Sequence, residues 1–119
     1  MDALRLSVDL KQLPVVLQDS AGVERQCMLK ELIGRDRNGY LSKLTARMKV
    51  DKNGKATGVK SFDGFQADLL TLCFYDENNE LFSKEDIEEL PSSTQQMLFD
   101  KAQELSELNI EAGEQEGND

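Results

Sequence analysis

The sequence predicts an α+β domain: a small N-terminal antiparallel β-sheet, built as a hairpin or meander, followed by about four α-helices. Three observations carry this. Apolar residues alternate strictly near the start of the chain, they recur at three- and four-residue spacing from Tyr40 onward, and helix start and stop signals punctuate the last third. At 119 residues with 39% hydrophobic content, the chain suits one domain over residues 1–110. With five Phe, two Tyr and no Trp, its core must be mainly aliphatic.

Leu4, Leu6, Val8 and Leu10 alternate with Arg5, Ser7, Asp9 and Lys11, which reads as a half-buried strand. Val15-Val16-Leu17 follows Pro14, a residue suited to a strand start. Asp19-Ser20-Ala21-Gly22 is a turn signal. Val23, Arg25, Cys27 and Leu29 then share one phase, so a hairpin joins the first strand in a small sheet. Tyr40, Leu41, Leu44 and Met48 predict a helix over roughly 35–49. Its start is drawn toward Tyr40, because Asn38-Gly39 is a turn signal.

Residues 51–61, with Asn53-Gly54 and Gly58, read as a loop. Phe62, Phe65, Leu69, Leu72 and Cys73 form the next helical stripe, which Ser61 can cap and which extends through Tyr75 as the central core helix. Asp76-Glu77-Asn78-Asn79 ends it. Ser83-Lys84-Glu85-Asp86 resembles a capping box, opening a short helix that stops at Leu90-Pro91. Ser92 or Ser93 caps a last helix running to about Ile110. Residues 111–119 are polar, acidic and predicted to be a disordered tail.

Charge is polarised along the chain. The first 60 residues hold 12 Lys/Arg against 7 Asp/Glu, and the remainder holds 2 against 16, giving a net −9. Such a surface steers association with partners, but most of it would repel phosphate, so nucleic acid is not expected as a partner. No apolar run approaches the ~18 residues of a membrane span, so no membrane partner is expected either. The N-terminus shows no secretory signal. Cys27 and Cys73 suit a reducing compartment, and a cytoplasmic location is expected.

The side-chain inventory argues against an enzyme and against a cofactor. Histidine is absent and two cysteines cannot build a four-Cys metal site. Residues 76–80 have alternating oxygen ligands, but Leu81 and Ile87 stand where a calcium loop needs Gly and a bidentate Glu. Gly34-Arg35-Asp36-Arg37-Asn38-Gly39 lacks the Lys-Ser/Thr of a phosphate loop. Cys27 sits on a strand and Cys73 on an apolar helical face, and both read as small core residues.

The last helix carries more apolar surface than a single contact requires. At ~100° per residue, Leu98, Ala102 and Leu105 fall on one side, with Met97 and Leu108 to one flank and Phe99 and Ile110 to the other. Asp100, Glu104, Glu107 and Glu111 form an opposing acidic stripe. The apolar arc spans roughly 220°, against the ~100° a surface helix needs. A second chain or a client could cover the excess, and so could two neighbouring helices of the same domain.

The order of these features resembles the tail assembly chaperones of long-tailed bacteriophages and their prophages. A strand unit leads into Leu29-Lys30-Glu31-Leu32-Ile33-Gly34-Arg35-Asp36-Arg37 and the helix from Tyr40. An apolar segment ending Leu69-Leu70-Thr71-Leu72-Cys73-Phe74-Tyr75 precedes Asp76-Glu77-Asn78-Asn79-Glu80-Leu81-Phe82. Ser83-Lys84-Glu85-Asp86-Ile87-Glu88-Glu89-Leu90-Pro91 follows. The acidic turn of that family often carries Gly where this chain has Asn79, a residue that tolerates left-handed backbone.

The resemblance implies a non-enzymatic protein of the bacterial host's cytoplasm. It would bind the long, helical tape measure protein, keep it soluble and help recruit tail tube subunits during virion assembly. Self-association is also open to it. On this reading Met97, Phe99, Leu108 and Ile110 contribute the partner-binding surface. A small acidic chaperone for another secreted or assembled client is the alternative, and an acidic DNA-mimic inhibitor is a further one.

Overall fold

Antiparallel pairing organises the first part of the chain, one segment later than the alternation of residues 4–10 suggests. The computed structural model describes residues 2–50, 56–59 and 64–108. Strands β1 (Gln12–Gln18) and β2 (Glu24–Lys30) form the expected hairpin, in register from Gln12 opposite Lys30 to Gln18 opposite Glu24. Asp19 Oδ1 accepts the N–H groups of Ala21 and Val23 at 2.9 and 3.0 Å, and Gly22 takes a φ of 87°, so this turn uses the residues that signal it.

Residues 4–10 pair with nothing among the described residues, and Leu4, Leu6 and Val8 are between 80% and 97% exposed. Alternation permits a strand but does not make one. A strand also needs a neighbouring edge to accept its hydrogen bonds.

The third strand of the sheet comes from elsewhere. α2 (Phe65–Leu70) stops five residues short of the expected helix end, and Phe74–Tyr75 form β5 beside β2, with Leu29 opposite Phe74 and Met28 opposite Tyr75. Leu72 and Cys73 close the helix with bonds to the carbonyls of Leu69 and Leu70. A fully buried apolar run has no polar phase to report its period, so helix and strand look alike in it. Gly64 holds a φ of 70° at the start of α2; Ser61 and Phe62 lie outside the described residues.

α1 spans Gly34–Arg47 and runs through the Asn38-Gly39 turn signal. Its anchors are tertiary: Tyr40 and Leu44 are buried, and Arg37 reaches the end of the last helix. Met48–Val50 (β3) and Ala56–Val59 (β4) pair as a second hairpin, which corrects the loop expected at 56–59.

α3 (Lys84–Glu88) opens on Ser83, whose hydroxyl accepts the Asp86 N–H at 3.1 Å. α4 spans Ser92–Leu105 with Pro91, not a serine, at its N-cap. It ends before Ile110 because Glu107 turns left-handed (φ 52°). The N–H of Leu108 then bonds back to the Gln103 carbonyl and that of Glu107 to Glu104, as in a Schellman motif.

The core lies on one face of the sheet. Cys27, Leu29 and Phe74 meet Ala67, Leu69 and Leu70 of α2, Ile87 of α3, and Leu98, Phe99 and Ala102 of α4. The rings of Phe74 and Phe82 stack at 4.5 Å. Among the described residues, the result is an α+β fold with a three-stranded antiparallel sheet in the order β1-β2-β5, the β3–β4 hairpin and four helices.

Candidate partner-binding surface

α4 separates the four residues expected to face a partner. Met97 is 59% exposed, whereas Phe99 (4%) and Leu108 (7%) belong to the core, and Ile110 lies outside the described residues. Two neighbours cover the wide apolar arc: α2 and β2 both pack against α4, so Leu98 and Phe99 are buried on adjacent sides. Leu108 is buried for a different reason. The helix has already ended at Leu105, and the left-handed Glu107 swings the chain back, so a projection at ~100° per residue does not reach it.

The sheet supplies apolar surface that the helical pattern does not reveal. Pro14 stands opposite Met28, Met28 opposite Tyr75, and Tyr75 opposite Leu81 through an isolated bridge. Paired residues share a face, so these four form a row across the whole sheet, on the side away from Leu29 and Phe74. Pro14 and Leu81 are exposed, Met28 and Tyr75 half-buried, and Val16 extends the patch along β1. Lys30 rims it, with its ammonium 4.3 Å from the Tyr75 ring centre and donating to Asn79 Oδ1 at 2.9 Å. Asn79 holds a left-handed φ of 62° in that turn. One cue was present in the sequence: Met28 interrupts an otherwise polar phase of Glu24, Gln26 and Lys30.

Exposed charge lies on the helical elements, which pack on the opposite face of the sheet. Glu85, Asp86, Glu88, Glu89, Glu104 and Glu107 are exposed on α3, on α4 and beyond it. At the far end of β2, Arg25 grips Glu77 with two bonds of 2.9 and 2.7 Å and lies 5.2 Å from the Phe82 ring centre. The guanidinium bonds pull the Glu77 carboxyl down to about 2, and the same pairing raises Arg25.

Burial pushes the Cys73 thiol up to about 12, and Cys27 is raised for the same reason, which leaves both as packed thiols. Among the described residues, no group of three or more His, Cys, Asp or Glu could hold a metal ion. No helix among them is long and apolar enough to cross a membrane. The arrangement suits contact with another macromolecule through an apolar patch with Lys30 at its margin.

No family model matches this chain, and no curated protein matches it. Among solved structures, the chain is similar to the bacteriophage HK97 tail assembly chaperone, at 18% identity and a TM-score of 0.52. The similarity covers 81% of this chain and 85% of that one. At this identity, the likeness is one of fold.

Proposed function

We propose that this protein is a non-enzymatic phage tail assembly chaperone, working in the cytoplasm of the bacterial host. It binds the tape measure protein, keeps it soluble and helps bring tail tube subunits to it. The observation that carries this reading is the fold shared with the HK97 tail assembly chaperone over most of both chains.

The surface chemistry supports the reading. An amphipathic client needs apolar area to bind and surrounding charge to stay dissolved. Pro14, Met28, Tyr75 and Leu81 offer the first, and the exposed carboxylates of α3 and α4, on the elements that cover the other face of the sheet, supply charge to the molecule as a whole. Met97, exposed on α4, and Ile110 belong to the proposed contact surface; Phe99 and Leu108 serve it by holding α4 against the sheet.

Co-expression with a tape measure protein tests both parts. The parent chain should shift the client into the soluble fraction and co-purify with it. Met28→Lys/Leu81→Asp should lose that capture while keeping its circular dichroism and melting temperature. Undiminished capture by this variant would refute the surface, and a client left insoluble by the parent would refute the function.

A further inference from the structure

Among the described residues, the apolar side chains of the N-terminal arm have no partner, and neither has the edge of the sheet next to them. Leu4, Leu6 and Val8 project into solvent from a segment outside any helix or strand. The hydrogen bonds there are local, as in the Asp9 N–H to Ser7 Oγ bond of 3.0 Å. Soluble chains seldom leave three alternating aliphatic side chains in water without a use for them.

The β1 edge is open in a defined way. Glu31 N–H donates to the Lys11 carbonyl at 2.8 Å, and Asp19 N–H donates to the Val23 carbonyl at 3.1 Å. Residues 11 and 19 therefore turn their backbone groups toward β2. Alternation then turns those of Gln12, Pro14, Val16 and Gln18 away from it. That edge offers four carbonyls and three N–H groups, since proline has none. Leu13, Val15 and Leu17 point to the core side yet are only half-buried, because no further strand covers them.

We infer that residues 4–10 of one copy add as a strand to the β1 edge of a second copy. The arm has the required features: period-two apolar residues that would extend the layer of Leu13, Val15 and Leu17, and backbone groups whose bonds, at Asp9, go only to the exposed Ser7 hydroxyl and can be exchanged for a ladder. It cannot fold back onto its own β1. One residue, Lys11, separates Leu10 from Gln12. Lys11 is committed to β2, with its carbonyl on Glu31 N–H and its own N–H on the Glu31 carboxylate at 3.0 Å. A two-residue hairpin turn at this point would have to break both bonds. Pro14 leaves one carbonyl of an added strand without a donor, which weakens unselective pairing along this edge. This inference is independent of which client the protein serves.

Sedimentation of the full chain over rising concentration tests it. The parent should pass from monomer to larger species. The variant Leu4→Asp/Leu6→Asp/Val8→Asp should remain monomeric with an unchanged circular dichroism spectrum, since its substitutions lie in solvent. Val16→Pro, which removes an outward N–H, should also remain monomeric; Gln18→Pro replaces it if Val16→Pro does not fold. Mixed together, the arm variant keeps a sound edge and the edge variant a sound arm, so the pair should form a one-to-one dimer. A parent that stays monomeric throughout overturns the inference. So does an arm variant that associates like the parent, or a mixture of folded variants that stays monomeric.

Discussion

The guanidinium of Arg37 in α1 donates to the carbonyl of Ser106, just past the end of α4, at 3.0 Å, and a second of its nitrogens reaches the Glu107 carbonyl at 3.0 Å. Ser106 completes the joint, its hydroxyl accepting the Leu32 N–H at 2.9 Å. One cation thus satisfies two carbonyls at the negative end of a helix and ties together segments 69 residues apart. Arg37→Ala should lower stability by about 1–2 kcal/mol. Arg37→Lys should recover only part of this, because an ammonium lacks the planar fork. Urea unfolding of both variants checks it.

Two glycines should respond in opposite directions to the same change. A methyl group at Gly39 would meet nothing within 4 Å, and the residue is helical and exposed. Gly39→Ala should therefore stabilise by about 0.5–1 kcal/mol. At Gly64, φ is 70° and a Cβ would lie 2.6 Å from Lys84 Nζ, the group that pairs with Asp68 at 3.1 Å. Gly64→Ala should lower the melting temperature. Thermal melts of the pair decide the matter.

Acid should weaken the fold partly through Glu77. Its carboxyl titrates near 2 in the native state, below its value in the unfolded chain. The stabilisation is therefore present in full above the ordinary carboxylate pKa and is lost as pH falls toward 2. Melting temperatures of Glu77→Gln should lie below the parent at neutral pH and converge with it in acid. Because the pair is solvent-accessible, added salt should narrow the gap at neutral pH.

Core and surface positions on α4 should separate cleanly. Phe99→Ala should cost about 3–5 kcal/mol and Leu108→Ala about 2–5 kcal/mol, since both side chains are buried. Met97→Asp should leave the melting temperature nearly unchanged. If Phe99→Ala kept the parent's unfolding midpoint, the assignment of Phe99 to the core would fail.

The sequence made the fold class, the Asp19–Gly22 hairpin turn and the Ser83 cap legible because each rests on local chemistry: a period, an Asx turn, a hydroxyl at an N-terminus. It misled where the outcome depends on distant partners. Residues 4–10 have the right alternation but pair with no strand among the described residues, and Phe74–Tyr75 become a strand because β2 lies beside them. The candidate surface was hidden for the same reason. Pro14, Met28, Tyr75 and Leu81 come from four separate segments, and only the register brings them into one row. Phe99 looked available because a helical projection carries no information about what α2 and β2 cover, and Leu108 because the projection runs on past the helix end at Leu105.

Co-purification of a tape measure protein, alone and then with tail tube subunits, tests the central claim most directly. The parent chain should hold the client in solution as a complex. Met28→Lys/Leu81→Asp, folded and equally expressed, should leave the client in the pellet. A client that precipitates equally with and without the parent chain would contradict the account.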